Sequence, residues 1–391
     1  DIPKYIKVPL VRKYTIIRYI TAFLSTTYLK LVDYHDSLGP EDKALFLTKD
    51  LAVGNEILNA MADGIINITH QFYLKLFHTK VMAGTMILDQ MDVVIIDEVQ
   101  DLNALAADIL DKYPTNQKIL VGDNSQRLYG FTGAINMFDR YKNEGIMLNL
   151  TTSFRVNVED ARVIEHFMRR EVDPTINFSG FDKPYPDKPT FAYLTRTNAS
   201  LIGKMISYNK CKTPYKLSSK AKVNDMFRLP KCLIYLKPGG KQLDDNLQYL
   251  QTAADKYAAT PSDLQQFKSL YAYLKYKFED NTSLMQSMDL VLKFGSNDIL
   301  EAYTNAKLHM KTKCNLSLMT SFTSKGLTFD EVELDPDCDK ALAKALAIPV
   351  HLRDESERSE ILIGHVSWTR HLHKLTGSNI FDKLKQQQKD K

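Results

Sequence analysis

Apolar residues recur at helical spacing at the start of the chain, where Ile16, Ile20, Phe23, Leu24 and Leu31 describe one buried stripe. Residues 1–90 therefore read as mostly helical, interrupted by a strand and a mixed apolar segment from Ile65 to Phe77. The pattern then changes. Residues 92–97 (DVVIID) and 118–123 (KILVGD) are short apolar runs that each end in Asp, with a helical period over 102–112 between them. Apolar strands with an acid at the carboxyl end, separated by a helix, predict a doubly wound α/β sheet with chemistry at its carboxyl edge. Residues 146–150 (IMLNL) read as a further strand, 157–170 as a helix, 172–190 as a loop rich in Pro, Asp and Gly, and 191–196 (FAYLTR) as the next strand. From 207 to about 310 helices dominate, one of them starting at Thr260 with Pro261 in its first turn. Strands return at 315–320 (NLSLMT) and 329–334 (FDEVEL), and the last seven residues, polar and basic, read as a frayed tail.

Composition changes this picture little. With 391 residues, 44% hydrophobic and 25% charged, the chain is an ordinary globular sequence of two or three domains, and its net charge of +4 does not by itself call for nucleic acid. Cys211, Cys232, Cys314 and Cys338 form no CxxC pair, so neither a zinc site nor a disulfide framework is indicated, and they read as small buried hydrophobes in a reducing compartment. No signal peptide and no membrane-spanning apolar run is read, which points to an intracellular, cytoplasmic protein without a membrane partner. Asp1 as the first residue suggests a processed or partial chain.

The chemistry concentrates in five stretches. In Ile95-Ile96-Asp97-Glu98-Val99-Gln100-Asp101, an Asp at a strand end can hold Mg²⁺ while the adjacent Glu polarises a water. The alternative is a surface acidic turn. Next, Val121-Gly122-Asp123-Asn124-Ser125-Gln126 offers a Gln to a phosphate, and Tyr129 and Phe131 follow it, suited either to stacking on unpaired bases or to core packing. Leu150-Thr151-Thr152-Ser153-Phe154-Arg155 ends in Arg. Thr320–Asp330 (TSFTSKGLTFD) and Gly364–Leu375 (GHVSWTRHLHKL) complete the set.

In order and spacing these stretches resemble motifs II, III, IV, V and VI of the UvrD/Rep family of superfamily 1 DNA helicases, and Thr195-Arg196-Thr197-Asn198 resembles the motif that opens the second motor domain. Thr69–Leu76 (THQFYLKL) and the Leu-Thr-x-Ser-Phe-Arg form of motif IV resemble the F-box DNA helicase branch, although no F-box is visible. The resemblance spans about residues 60–205 and 310–376. It implies an α/β protein with two RecA-like motor domains, the first incomplete, and inserted mostly helical subdomains. Residues 1–90 would form a helical subdomain and the start of the first motor domain, 91–150 that domain, 151–206 with 310–391 the second, and 207–309 a helical insertion. It also implies ATP and Mg²⁺ as cofactors, single-stranded DNA as partner and movement 3′ to 5′, in the service of DNA repair, replication or recombination. Asp97 would hold the metal and Glu98 act as base. Gln126 would sense the γ-phosphate, Arg155 and Arg370 would reach it, Lys325 and Gly326 would lie near nucleotide and DNA, and Tyr129, Phe131, Arg196 and Phe322 would contact the strand.

Two departures stand out. Phe322-Thr323-Ser324 and Thr328 replace the His-Lys-Ala and the Glu of the family's His-Lys-Ala-Lys-Gly-Leu-Glu, that Glu being the one that meets the nucleotide sugar. Secondly, Gly-x-x-x-x-Gly-Lys-Ser/Thr, whose backbone amides would cradle the phosphates, occurs nowhere in the 391 residues. The expectation is a motor whose amino-terminal portion has been removed or lies on another chain, inactive by itself, with replication or repair proteins as further partners and a bacterial or phage-infected host. The competing expectations are a non-catalytic DNA-binding or interaction remnant and one half of a split helicase.

Overall fold

The computed structural model describes residues 10–127, 137–241, 244, 247–259 and 267–390. The chain divides into two compact units, 1–148 and 149–391.

The first unit opens with five helices, α1 (Leu10–Leu24), α2 (Leu31–Ser37), α3 (Pro40–Leu45), α4 (Thr48–Ala62) and α5 (His70–Met82). Ile16, Ile20, Phe23, Leu24 and Leu31 are buried together with Tyr19, Phe46, Ile57 and Phe72. The strand expected inside 65–77 is absent, because Thr69 caps α5 by accepting from the Phe72 N–H at 3.2 Å. Phe72, Lys75, His78 and Val81 then recur every third residue on its buried face. Two parallel strands follow, β1 (Met91–Ile96) and β2 (Thr115–Leu120), with α6 (Ala104–Lys112) between them. The register sets Ile96 against Leu120, so β2 starts three residues earlier than its apolar run suggests. Val94, Ile96 and Leu120 cover Val99, Ala107, Leu110 and Met137, the last on α7 (Met137–Tyr141). The opposite face of the pair, with Val93, Ile95 (67% exposed), Ile119 and Val121, is open to solvent. Residues 146–150 form no strand, and Ile146, Leu148 and Leu150 are exposed. An apolar run becomes a strand only where a ladder partner accepts its N–H and C=O groups.

The second unit is a three-layer α/β domain. Its elements in chain order are α8 (Val158–Glu171), β3 (Phe191–Thr195), α9 (Asn198–Lys210), β4 (Lys216–Leu217), α10 (Val223–Tyr235), α11 (Gln248–Ala259), α12 (Leu270–Lys277), α13 (Thr282–His309), β5 (Leu316–Thr320), β6 (Phe329–Leu334), α14 (Pro336–Leu346), α15 (Glu355–Trp368), β7 (His371–Thr376) and α16 (Asn379–Lys389). The strands lie in the order β4-β5-β3-β6-β7, all parallel. Alternation along β3 feeds both cores: Ala192 and Leu194 join Phe167, Val332, Leu342 and Trp368 on one face, while Tyr193 joins Ile202, Phe227, Ile299 and Leu318 on the other.

Two boundaries differ from the sequence reading. The sheet takes in Lys216–Leu217, inside the span read as a helical insertion, and Ile299, Ala302 and Ala306 of α13 pack on the sheet. A separate helical core gathers residues from α10 to α13, including Leu233, Leu250, Leu274 and Met288. Of the tail, residues 385–389 are helical rather than frayed, since Lys385 on α16 is held by Asp160 at 2.7 Å and Glu159 at 2.9 Å. The helix expected to start at Thr260 falls outside the described residues. Among the described residues no helix is long and apolar enough to cross a membrane. The four cysteines are free thiols; Cys232 is buried as expected, but Cys211 is exposed.

Candidate nucleotide and DNA sites

In the first unit, Asp97 and Glu98 leave the carboxyl end of β1 on an exposed turn. The Asp97 carboxylate accepts the Glu98 N–H at 2.8 Å. Glu98 adopts left-handed backbone angles (φ 53, ψ 39), a conformation that costs a residue with a Cβ about 1–2 kcal/mol. Such strain persists only where the surroundings over-determine it. Here Gln100 does so. It is fully buried, donates through Nε2 to the Glu98 carboxylate and accepts the Asp123 N–H at 3.0 Å. Asp123 in turn accepts Ser125 N–H at 2.8 Å and Gln126 Nε2 at 2.7 Å. The close approach requires Gly122: a Cβ there would stand 2.3 Å from Gln100 Oε1 and 2.9 Å from Val99 Cγ1. Glu98 and Gln126, far apart in sequence, thus belong to one chain of hydrogen bonds that runs through Gln100 and Asp123. Neither linker was read as a site residue from sequence, though the Gln of Asp-Glu-x-Gln was visible as a polar residue in a segment that had to be buried. Tyr129 and Phe131 lie outside the described residues.

An exposed carboxylate at a strand end suits Mg²⁺, which keeps several waters and takes one or two carboxylates besides substrate phosphates. Asp97 fits that metal. A triphosphate needs more than these residues supply, and the Gly-x-x-x-x-Gly-Lys-Ser/Thr string that would cradle it does not occur in the 391 residues. Among the described residues no group of three or more His, Cys, Asp or Glu side chains gathers as a metal cage.

In the second unit Arg196, Phe322, Lys325 and Gly326 lie at the carboxyl ends of β3 and β5. Ser321 N–H donates to Thr195 O at 2.8 Å, tying the two strand ends together. The loop 321–326 is pinned by its own hydroxyls: Thr323 Oγ accepts the Thr320 N–H at 3.0 Å, Ser324 Oγ donates to Ser321 O at 2.7 Å, and Ser367 Oγ reaches Ser321 Oγ at 2.8 Å. Gly326 closes the loop at φ +80, and Lys325 beside it is half-buried. Arg196 sits over the Phe322 ring at 5.1 Å and forms a bidentate pair with Glu360, so the structure brings these two candidates together but gives the guanidinium a carboxylate partner. Asp337 fixes the same turn, accepting the Arg196 N–H at 2.8 Å and the Thr197 N–H at 3.0 Å. Arg370 is 1% exposed, its Nε on Val366 O at 2.8 Å and an Nη on Leu327 O at 3.2 Å. It ties the end of α15 to the loop after Gly326. Arg155 is exposed, in a loop held by the Thr152–Ser179 bridge and by Phe154 against Phe181.

Parallel strands joined through helices in both units define an α/β protein. Residues 51–144 match the family model described as the UvrD/REP helicase N-terminal domain, which supports kinship with UvrD/Rep-like helicases, a family that uses ATP and Mg²⁺ and binds DNA.

Proposed function

We propose that this chain is the larger part of an ATP-driven motor that moves 3′ to 5′ on single-stranded DNA. The observation that carries the reading is the hydrogen-bonded chain from Glu98 through Gln100 and Asp123 to Gln126, which couples a would-be base to a would-be phosphate sensor. In this reading 91–150 is the core of a first RecA-like domain, and the second, 151–206 with 310–391, gains β4.

Bound Mg²⁺ would neutralise charge on the nucleotide phosphates. Asp97 would hold it, and Glu98 would orient and deprotonate a water. Gln126 would meet the γ-phosphate, and Arg155 and Arg370 are the cations of the second unit proposed for phosphate contacts, Arg370 only after leaving its carbonyl partners. Lys325 and Gly326 line the nucleotide side, while Tyr129, Phe131, Arg196 and Phe322 face the DNA. Among the described residues the apolar face and the edges of β1 and β2 are open, which supports completion of the first domain by a further segment that carries the phosphate loop, whether on a longer form of this polypeptide or on a second one. Parallel sheets are stable with both faces covered. The burial of Arg370 favours a second reading, a DNA-binding remnant without ATP chemistry.

The test is ATP hydrolysis with and without single-stranded DNA. The 391 residues alone should hydrolyse no faster than buffer, because an unheld triphosphate cannot be positioned. The full product of the gene spanning Asp1, with any phosphate loop it encodes, should show DNA-stimulated hydrolysis that Glu98→Gln abolishes. Hydrolysis by the isolated chain would sink the need for an added loop, and none from the full product would leave the remnant.

A further inference from the structure

The charge of this chain is nearly balanced, 51 Lys and Arg against 47 Asp and Glu, yet two short segments are wholly basic. Residues 210–222 hold five lysines and 307–313 hold three, with no acid in either; without these eight the chain would be net acidic. The fold brings the segments together. β4 is the edge strand of the second unit, and the last turn of α13 lies beside it, with His309 stacked on Tyr215 at 3.9 Å and bonded to its carbonyl at 3.2 Å. Lys222 and Lys307 line a cleft of about 340 Å³ between the start of α10 and the end of α13, where Asp225 is the one acid. Lys212, Lys220, Lys311 and Lys313 are exposed around it. Among the described residues these eight lysines form one ion pair, Lys210 with Asp298 at 2.5 Å. Lys220 donates to the Lys325 carbonyl at 3.3 Å, so the face runs up to the loop at the carboxyl end of β5.

Such a concentration of cations repels itself, and lysines side by side gain little unless a polyanion neutralises them. The two segments carry charge without exposed aromatic rings: Tyr215 is fully buried, His309 packs on it, and Tyr303 nearby on α13 is bonded to Asn224 and covered by Lys231. Sites for unpaired strands combine charge with exposed aromatics. Duplex DNA presents the denser row of phosphates and needs no stacking platform.

We propose that the lysine face around β4 and the end of α13 binds the phosphate backbone of duplex DNA, on a surface that adjoins the loop proposed for the single strand. The choice of nucleic acid rests on the helicase reading; the face itself rests on charge and placement.

The test is fluorescence anisotropy of the 391-residue chain, without nucleotide, on a blunt duplex and on a single strand of the same length, over a range of salt. Each phosphate contact on a duplex contributes about 0.9 to the slope of log affinity against log salt. Lys307→Ala/Lys311→Ala/Lys313→Ala should therefore lower the duplex slope by roughly 2–3 and the single-strand slope by less, at unchanged melting temperature. Lys212→Ala/Lys216→Ala/Lys222→Ala, on the other segment, should do the same. An unchanged duplex slope in both variants, or no duplex binding by the parent chain, overturns the proposal. A loss on single strands as large as that on the duplex assigns the lysines to the single-strand path and overturns it too. Because no ATP is present, failure of the motor reading shows separately: hydrolysis absent from the full product with duplex binding retained removes that reading and leaves this one.

Discussion

Gln100 accepts the backbone N–H of Asp123 at 3.0 Å while its own Nε2 donates to Glu98, so one buried amide joins the acidic turn after β1 to the turn after β2. Gln100→Ala removes a partner from both and should cost about 1–3 kcal/mol. Gly122→Ala drives a Cβ into the same amide and should cost about 1–3 kcal/mol by overpacking. Because the two act on one contact, the double variant should lose less than the sum in chemical denaturation. Full additivity would show that Gly122 and Gln100 do not meet.

Lys75 is buried on α5, bonded to Thr26 O at 2.6 Å and to Tyr28 O, and lies 4.3 Å from the Phe23 ring centre. Burial lowers its ammonium to about 8, against an opposing pull from Asp108. The unfolded value is about 10.4, so between pH 8 and about 10 the unfolded chain binds a proton that the folded chain does not, and stability rises with pH. Urea midpoints of the first unit should increase over that window, and Lys75→Met should abolish the increase. A parent midpoint that is flat from pH 8 to 10 would contradict the placement of Lys75.

Asp160 on α8 accepts from His371 at 2.8 Å and from Lys385 at 2.7 Å. Burial pushes its carboxyl up, but hydrogen bonds from His371, Lys385 and Asn157 outweigh this and hold it well below the usual range. A depressed carboxyl adds stability above its unfolded value, about 3.9, and loses it as the pH falls toward the folded one. Asp160→Asn should therefore cost about 3 kcal/mol at pH 7, as expected for breaking a buried pair, with the penalty shrinking below about pH 4. A penalty independent of pH would rule out charge as its source.

Glu360 takes the Nε and one Nη of Arg196 and so competes with a DNA phosphate for the guanidinium. Glu360→Gln should weaken the hold on the guanidinium, raise single-strand affinity and lower the melting temperature. A lower melting temperature with unchanged affinity would make Arg196 a strut between β3 and α15.

Phe131→Ala should weaken single-strand binding by roughly ten-fold or more, since stacking on a base contributes about 1–3 kcal/mol and 1.4 kcal/mol is a decade. Melting temperature should hold nearly constant. Loss of stability without loss of affinity per folded molecule, for both Phe131→Ala and Tyr129→Ala, would place these rings in the core.

The sequence by itself determined β1, β3, β5 and β6 nearly to the residue, because a strand buried between layers must be apolar and its polar end marks the site. It offered Asp97 and Glu98 as candidates for the same reason, since they end an apolar run, while the roles proposed for them, for Gln126 and for the arginines rest on the resemblance. Tertiary structure decided what depends on partners. Residues 146–150 carry the pattern of a strand but have no ladder neighbour among the described residues, while Lys216–Leu217, too short to read, becomes a strand because β5 offers one. Thr69 converted an expected strand into α5 through a single cap bond. Arg370 and Arg196 read as outward-reaching cations, yet the fold set carbonyls and a carboxylate around them. Gln100 and the lysine face are alike in this: a side chain buried by strands it does not belong to, and charges joined across some ninety residues of chain, exist only once the chain has folded.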